Sequence, residues 1–559
     1  MNASKERPNV VLILNDDMGY SDLGCYGGEI DSKNLNQLAE NGIKFTNFYN
    51  TARCCPSRAS LLTGLHPHQA GVGHMVSDWG YEGYRGTLNK ECVTIAEMLK
   101  ENGYSTYMSG KWHVVHDKWN VNDGWPNQRG FDRSYSFLGG ASSYFWPKTM
   151  TRDNEDINEE IEDDKNYYLT DAISDNAADY IKNHVKSGNS DPFFLYVAYT
   201  TPHWPLHAKE QDIEKYKGRF NSGWDQLRKE RLDRMVAMRI IDDDWRLTDR
   251  DPAQKAWKDV ENKEWEQRRM EVYAAQIDAM DQGIGRIIDA LQDTGQFEDT
   301  IIIFLADNGG CAEECREHWK GGKIRGGSAQ EFTKNGEKVR FGNKPSIIPG
   351  AEDTYLSYGV AWANLSNTPF RMYKKWTHEG GIATPFIVHW PNGFEDRGAL
   401  RRNYAQLTDV MTTIVDVTRS EYPKEYKGRQ IQPMEGTSLM PVFKGNDNGK
   451  DMLFFEHMGN AAVRDKKWKL VRDWPFDWEL YNMEEDRTEL NNLIDAESQQ
   501  AQKMIQAYQK WADRVGVIPR GEAITRKMGK VPKFVKKITI WFSRFSNECI
   551  REWQQIIKK

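Results

Sequence analysis

The sequence predicts an α/β fold: a mostly parallel sheet flanked by helices, followed by a smaller C-terminal domain on a short antiparallel sheet. Three observations carry this expectation. Four unbroken apolar runs stand far apart in the chain, at residues 9–14, 193–199, 301–306 and 385–390. Continuous rather than alternating apolar runs mark strands buried on both faces. Segments of helical periodicity separate the runs, and strands that alternate with helices build parallel sheets. From about Asp451 the pattern changes to short, closely spaced strand-like segments, as in a small antiparallel sheet.

The helical segments are residues 35–41, 94–102, 171–184, 270–293 and 410–417. The longest shows the clearest periodicity, through Val272, Ile277, Met280, Ile284, Ile287, Ile288 and Leu291, the stripe of a helix with one face on a core. In the C-terminal part, residues 453–455, 461–464, 468–472 and 478–481 read as strands, and 496–515 as a helix packed on them. The expected organisation is a main domain over 1–445, a small sheet-and-helix domain over 446–525, and a basic, partly amphipathic tail over 526–559.

Composition narrows the function. The chain has 559 residues, a net charge of -7, 39% hydrophobic and 12% aromatic residues. That supports a large core and argues against a nucleic-acid binder, which would show a basic face. No apolar run reaches the ~18 residues of a membrane span. The first residues lack the apolar segment of a secretory signal. The expectation is therefore a cytoplasmic protein if the chain is complete, and a periplasmic or secreted one if a leader was removed. Seven scattered cysteines read as thiols rather than a disulfide framework. Cys311, Cys315 and His318 lack the second ligand pair that structural zinc needs.

Ligands of such sheets sit beyond the carboxyl ends of the strands. Three of the four runs end there in polar residues: Asp16 and Asp17, then His203, then Asp307 and Asn308. Adjacent aspartates repel unless a cation or donors compensate. Three carboxylates and an amide oxygen suit a hard divalent cation such as calcium or magnesium. A second feature is Cys54-Cys55-Pro56-Ser57-Arg58, leading into an apolar helical stretch. A thiol at a helix N-terminus is acidified, and Arg58 would hold an anion. These facts alone also suit an ordinary cysteine nucleophile or a buried structural cysteine.

The stretch from Cys54 to Gly64 resembles the Cys-x-Pro-Ser-Arg-x-x-x-Leu-Thr-Gly motif of the formylglycine-dependent sulfatases. Further segments match that family in order along the chain: Asn15-Asp16-Asp17, Gly110-Lys111-Trp112-His113, Pro202-His203-Trp204-Pro205, Asp307-Asn308-Gly309, and Lys374 with Glu379-Gly380-Gly381. The resemblance spans about residues 7–495 and is greatest to the large bacterial arylsulfatase branch. It implies an alkaline-phosphatase-like fold and hydrolysis of sulfate monoesters, either aryl sulfates or sulfated sugars. It implies one calcium ion held by Asp16, Asp17, Asp307, Asn308 and the modified residue 54. It also implies a maturation enzyme that oxidises Cys54 to formylglycine.

By the same resemblance, one hydroxyl of the hydrated aldehyde, deprotonated by Asp307, attacks sulfur. His203, helped by Lys374, protonates the departing alcohol. His113 deprotonates the second hydroxyl, which expels sulfate. Arg58 orients residue 54, and Lys111 binds both the nucleophile and the sulfate oxygens. Where relatives are richer in glycine, this chain has Lys374-Lys375-Trp376; Lys374, five residues before Glu379, is the expected functional lysine. The remaining histidines read mainly as structural, His207 and His378 being those closest to the pocket. Its rim is expected from residues 134–150, 207–239 and 355–367. Two other functions suit the same residues: a phosphate or phosphonate monoester hydrolase on this scaffold, and a non-catalytic protein that binds sulfated glycans.

Overall fold

The computed structural model describes residues 7–317, 329–447 and 449–522. The tail over 526–559 and His318 lie outside the described residues. The first apolar run forms strand β1 (Asn9–Asn15), and all seven of its residues are buried. Later strands of the same sheet are β2 (Ile43–Phe45), β3 (Ser105–Lys111), β4 (Arg133–Phe137), β5 (Phe193–Ala198), β6 (Thr300–Ala306) and β7 (Phe386–His389). Their order across the sheet is β2-β7-β6-β1-β5-β3-β4. Ala399–Arg401 extends one edge, and Met150–Arg152 with Glu155–Asp156 the other.

The five strands from β6 to β4 run parallel. β7 departs from the expected direction, being antiparallel to both β6 and β2. A buried apolar run has the same composition in either direction, so its sequence carries no sign of this. β3 was not expected at all. It contains Thr106 and Ser109, both fully buried, and reads as polar. Their hydroxyls donate to the carbonyls of Gly130 and Ile173, each at 2.7 Å, so burial leaves neither unpaired.

Alternation along β1 divides the core. Val11 and Ile13 face one apolar layer, and Val10, Leu12 and Leu14 the other. The first layer is closed by helices α2 (Leu169–Lys186) and α3 (Lys263–Asp293), which pack on each other. The second is closed by α1 (Cys54–Thr63) against α4 (Leu407–Thr418). Each fully buried Val, Leu or Ile stabilises the fold by about 1.5–3 kcal/mol. Ile95–Glu101 starts at a capping box in which Thr94 and Glu97 satisfy each other's backbone N–H.

The segment 207–239 does not line a rim throughout. Tyr216, Phe220, Trp224 and Met235 are buried, and Arg231 bonds Asp22 at 2.9 Å and Glu29 at 2.8 Å. Its aromatic residues belong to the core.

The C-terminal part is a four-stranded antiparallel meander, β8 (Leu453–His457), β9 (Asn460–Arg464), β10 (Trp468–Arg472) and β11 (Glu479–Asn482). One face packs on helix α5 (Ser498–Val515), through Ala461, Val463, Leu470 and Leu480 against Met504, Tyr508 and Trp511. The other face presents Leu453, Phe455, Ala462, Val471 and Tyr481 to the main core. Charge also crosses this junction. Lys469 Nζ sits 2.8 Å from both Glu379 and Glu489, and Arg487 donates to Glu379 at 3.0 Å, all fully or nearly fully buried.

Removing one partner from a buried ion network leaves charge uncompensated, at a cost of about 3–5 kcal/mol. Lys469→Met leaves Glu379 and Glu489 without their shared cation. The expected result in urea unfolding is a loss of that size, against less than about 0.5 kcal/mol for Lys503→Met on an exposed face of α5.

Candidate active site

The parallel register aligns the strand ends. β1 pairs Asn15 with Ala306 of β6 and Leu14 with Ala198 of β5. The ladder continues one step beyond the strands: Asp307 N–H donates to Asn15 at 3.1 Å, and Asp16 N–H to Thr201 at 2.9 Å. Asp16, Asp17, His203, Asp307 and Asn308 therefore meet at one edge although they span almost 300 residues. β3 brings Lys111 to the same edge. Gly110 allows this approach. Its φ is +118°, and a Cβ there would lie 1.9 Å from the Ala198 carbonyl oxygen, a position only glycine tolerates.

Cys54 is the first residue of α1, and that helix is buried over its whole length. Pro56 falls in the first turn, where a missing N–H costs nothing. Arg58, one turn on, donates from one nitrogen to the Lys111 carbonyl at 2.8 Å and from the other to Asp307 at 3.1 Å. It thereby fixes the helix start against two strand ends. The Cys54 and Cys55 sulfurs and a His113 ring nitrogen lie within 4.8 Å of one another, with Cys55 Sγ 3.3 Å from His113 Nε2.

Three carboxylates face three fixed cations. Lys111 Nζ bonds Asp16 and donates to the Gly140 carbonyl at 2.6 Å. Lys374 Nζ lies 2.8 Å from one oxygen of Asp17 and 2.7 Å from the other. Arg58 stands 3.7 Å from Asp16 and 3.1 Å from Asp307. His203 Nε2 is 3.5 Å from Asp17, and its Nδ1 meets the Trp204 carbonyl at 2.6 Å. No side chain in this set exceeds 7% exposure. Lys375 points elsewhere, over the Trp376 ring at 4.7 Å.

Burial and proximity split the carboxylates. Burial, reinforced by Asp16, pushes Asp307 well above the usual carboxylate range. Burial would raise Asp16 too, but Lys111, His203 and Arg58 outweigh it and hold Asp16 low. Like charges this close do not both ionise freely. Burial, then Lys111, pushes His113 down to about 4, and burial lowers His203 against the pull of Asp17. A hydrogen bond from Cys55, then Lys374, His113 and Lys111, hold the Cys54 thiol well below its ordinary value despite burial. Cys54 in turn acts on both Asp16 and Asp307. It belongs to the same electrostatic cluster as the acidic strand ends.

The donor set fits a hard divalent cation. Among the described residues Asp16 Oδ1 and Asn308 Oδ1 are buried without a hydrogen-bond partner, which is costly unless something else meets them. Asn308 Nδ2 donates to Asp17 Oδ1 at 2.7 Å, which turns its oxygen away from that carboxylate. Oxygen ligands of this kind suit calcium.

Backbone strain gathers here. Asp17, Ala52, His113, Met372 and Lys375 all have positive φ, a conformation that costs a non-glycine residue energy and concentrates at functional sites. Other contacts had no signal in the sequence. Arg53 pairs with Glu313 at 2.9 Å beside Cys54, and Cys55 stands next to His113. Each depends on chain segments far apart. His207 is held on both sides by backbone, meeting the Thr354 carbonyl at 2.6 Å and the Tyr144 N–H at 3.3 Å. His378 faces Glu479 at 3.3 Å. His66 and His68 pair with Glu435 and Glu456.

Comparison with known proteins shows the family. The sulfatase family model matches residues 8–420, and the model of the C-terminal part of N-sulphoglucosamine sulphohydrolase matches 370–513. An uncharacterized sulfatase of Schizosaccharomyces pombe is 31% identical over 547 residues, covering 92% of this chain and 95% of that protein. An arylsulfatase of Klebsiella aerogenes is 33% identical over 463 residues, covering 79% and 93%. Among solved structures, Ps i-CgsB in complex with k-i-k-neocarrahexaose has a TM-score of 0.65 at 24% identity, over 95% of this chain and 99% of that one. The PsFucS1 sulfatase from Pseudoalteromonas sp. has a TM-score of 0.56 at 18% identity, over 91% of each chain. With matches over most of its length and acidic strand ends gathered round the start of the Cys54 helix, the chain belongs to the sulfatase family and is a sulfuric ester hydrolase.

Proposed function

We propose that the protein hydrolyses sulfate monoesters at residue 54, oxidised from cysteine to formylglycine, with one calcium ion held by Asp16, Asp17, Asp307, Asn308 and residue 54. The observation that carries this reading is the convergence of Cys54, three fixed cations and two buried oxygens that have no partner among the described residues, all at one sheet edge. A sulfate ester surrounds sulfur with negative oxygens. A nucleophile approaches only where that charge is balanced.

Calcium, when bound, would supply charge that compensates the carboxylates and the ester oxygens. A hydrated aldehyde at residue 54 would supply two hydroxyls, one to attack sulfur and one whose deprotonation releases sulfate. Asp307, fixed by Arg58 of the same helix that begins at residue 54, suits removal of the first proton. His113, held neutral and close to the start of α1, suits removal of the second. His203 is oriented by its Nδ1 contact with Trp204 and presents Nε2 towards Asp17. It passes a proton to the alcohol when doubly protonated, a state that Asp17 and Asp16 favour and burial opposes. Lys111 and Lys374 neutralise the sulfate oxygens, and Arg58 holds residue 54 in place.

Three outcomes are expected. Protein co-expressed with a formylglycine-generating enzyme loses the thiol mass at residue 54 in peptide mass spectrometry, and hydrolyses an aryl sulfate faster than the matched aryl phosphate. Faster phosphate turnover would replace this reading with a phosphohydrolase, and an unchanged thiol with no hydrolysis would favour a glycan-binding protein. In the matured enzyme, Lys111→Ala lowers kcat on the aryl sulfate by about 100–1000-fold, the scale of one preorganised group. Calcium at about 100 times its Kd stabilises the wild type by about 2.7 kcal/mol in thermal unfolding. The double variant Asp16→Asn/Asn308→Ala loses that calcium-dependent shift.

A further inference from the structure

His457 is the last residue of β8. Side chains alternate across a strand, which places His457 on the face of Leu453 and Phe455, directed at the main core. The opposite face carries Phe454, stacked on Trp511 of α5, and Glu456, bonded to His68 at 2.8 Å. The β8–β9 turn is docked on the site. Asn460 donates to the Lys375 carbonyl at 2.9 Å, and Lys375 N–H to the Ala52 carbonyl at 2.6 Å. Lys374 and Cys54 are therefore one and two residues away from that chain of contacts. Met458 and Gly459, both at positive φ, turn the strand there.

The imidazole is fully buried, and among the described residues neither ring nitrogen has a hydrogen-bond partner. Other histidines near the core meet a carboxylate or a backbone carbonyl, as His68, His184, His203 and His207 do. Leaving a buried polar group unpaired costs about 1–3 kcal/mol. The ring is as enclosed as the site itself, where Cys54 has 2% exposure, and Cys54 and Arg53 are both close enough to act on it electrostatically, while His74 and Trp79 beside it are only half-buried. The His74 ring lies 5.7 Å away, itself 4.1 Å from the Trp79 ring.

We infer that His457 is a specificity-determining residue, hydrogen-bonding a hydroxyl of a sulfated sugar beside the ester carbon, with His74 and Trp79 forming the wall along the sugar ring. The inference rests on the sulfatase reading and narrows its substrate class. Burial keeps the ring well below its ordinary pKa. A neutral imidazole offers one donor and one acceptor, which matches a hydroxyl, itself both, better than a second anion. A flat aryl group has no hydroxyl to satisfy either nitrogen. Aromatic faces serve the apolar side of a sugar ring.

The test uses matured full-length enzyme with the aldehyde at residue 54 verified by mass, as wild type, His457→Leu and His457→Gln. kcat/KM is measured on an aryl sulfate and on a panel of hexose monosulfates, and Tm without substrate. For the preferred hexose sulfate, His457→Leu is expected to lose about tenfold more than for the aryl sulfate, mainly through KM, as for one or two lost hydrogen bonds. His457→Gln retains a donor and an acceptor and is expected to restore most of that loss. Because an unpaired polar group is removed, His457→Leu is expected to keep or raise Tm. A selectivity ratio within twofold of wild type overturns the inference. So does a Tm fall of more than about 3 °C, which marks a structural role. Wild type that cleaves the aryl sulfate but no hexose sulfate overturns this inference alone, whereas wild type inactive on every sulfate ester overturns the sulfatase mechanism as well.

Discussion

Three carboxylates and three cations share a dry edge of the central sheet, and that balance governs the rest of the site. Asp16, Asp17 and Asp307 have at most 1% exposure, and Arg58, Lys111 and Lys374 at most 3%. An ion buried alone costs several kcal/mol, and attraction offsets this only where geometry is good. Here the geometry is supplied by parallel strands whose ladder continues into the acidic residues themselves. The same carboxylate oxygens would bind a divalent cation, and an ion there would compete with the two ammonium groups. Lysines displaced from carboxylates would be free to meet sulfate oxygens. The resting balance thus has the same charge pattern that the reaction needs.

Much of this was legible in the sequence, for physical reasons. β1, β5 and β6 are buried on both faces, and such strands must be continuously apolar. Their polar end residues then stand out. β3 was not legible because its buried Thr106 and Ser109 are satisfied by carbonyls from other segments, which no local pattern reports. The direction of β7 was hidden because composition does not distinguish parallel from antiparallel pairing. Meeting of the strand ends followed from fold class. The match of Cys54, Lys111, His113 and Lys374 to one site came from family resemblance, since a lysine or histidine seen alone reads as surface or packing. The pairs Arg53–Glu313 and Cys55–His113 lay outside both kinds of inference.

Strain and support are matched across the molecule. Positive φ at Asp17, Ala52, His113, Met372 and Lys375 is tolerated only where surrounding contacts over-determine the backbone. Gly380 and Gly381 show how tight that support is. A Cβ at Gly380 would lie 2.3 Å from the Met372 carbonyl oxygen, and one at Gly381 2.0 Å from that of Trp376. These glycines let the short helix Glu379–Ile382 press on the loop that carries Lys374.

That helix begins at Glu379, the residue held by Lys469 and Arg487 of the C-terminal part and by the Tyr49 hydroxyl at 3.0 Å. The position of Lys374 is thus fixed partly from outside the main domain. A loop carrying a cation towards buried carboxylates gains little from its own contacts, because strained backbone and long side chains favour disorder. The four-stranded sheet supplies the missing constraint twice, through the Glu379 network and through Asn460 on Lys375. Loosening either contact would release a lysine from the strand ends without touching a reacting atom. This makes the C-terminal sheet a support of the candidate site rather than an appendage to it.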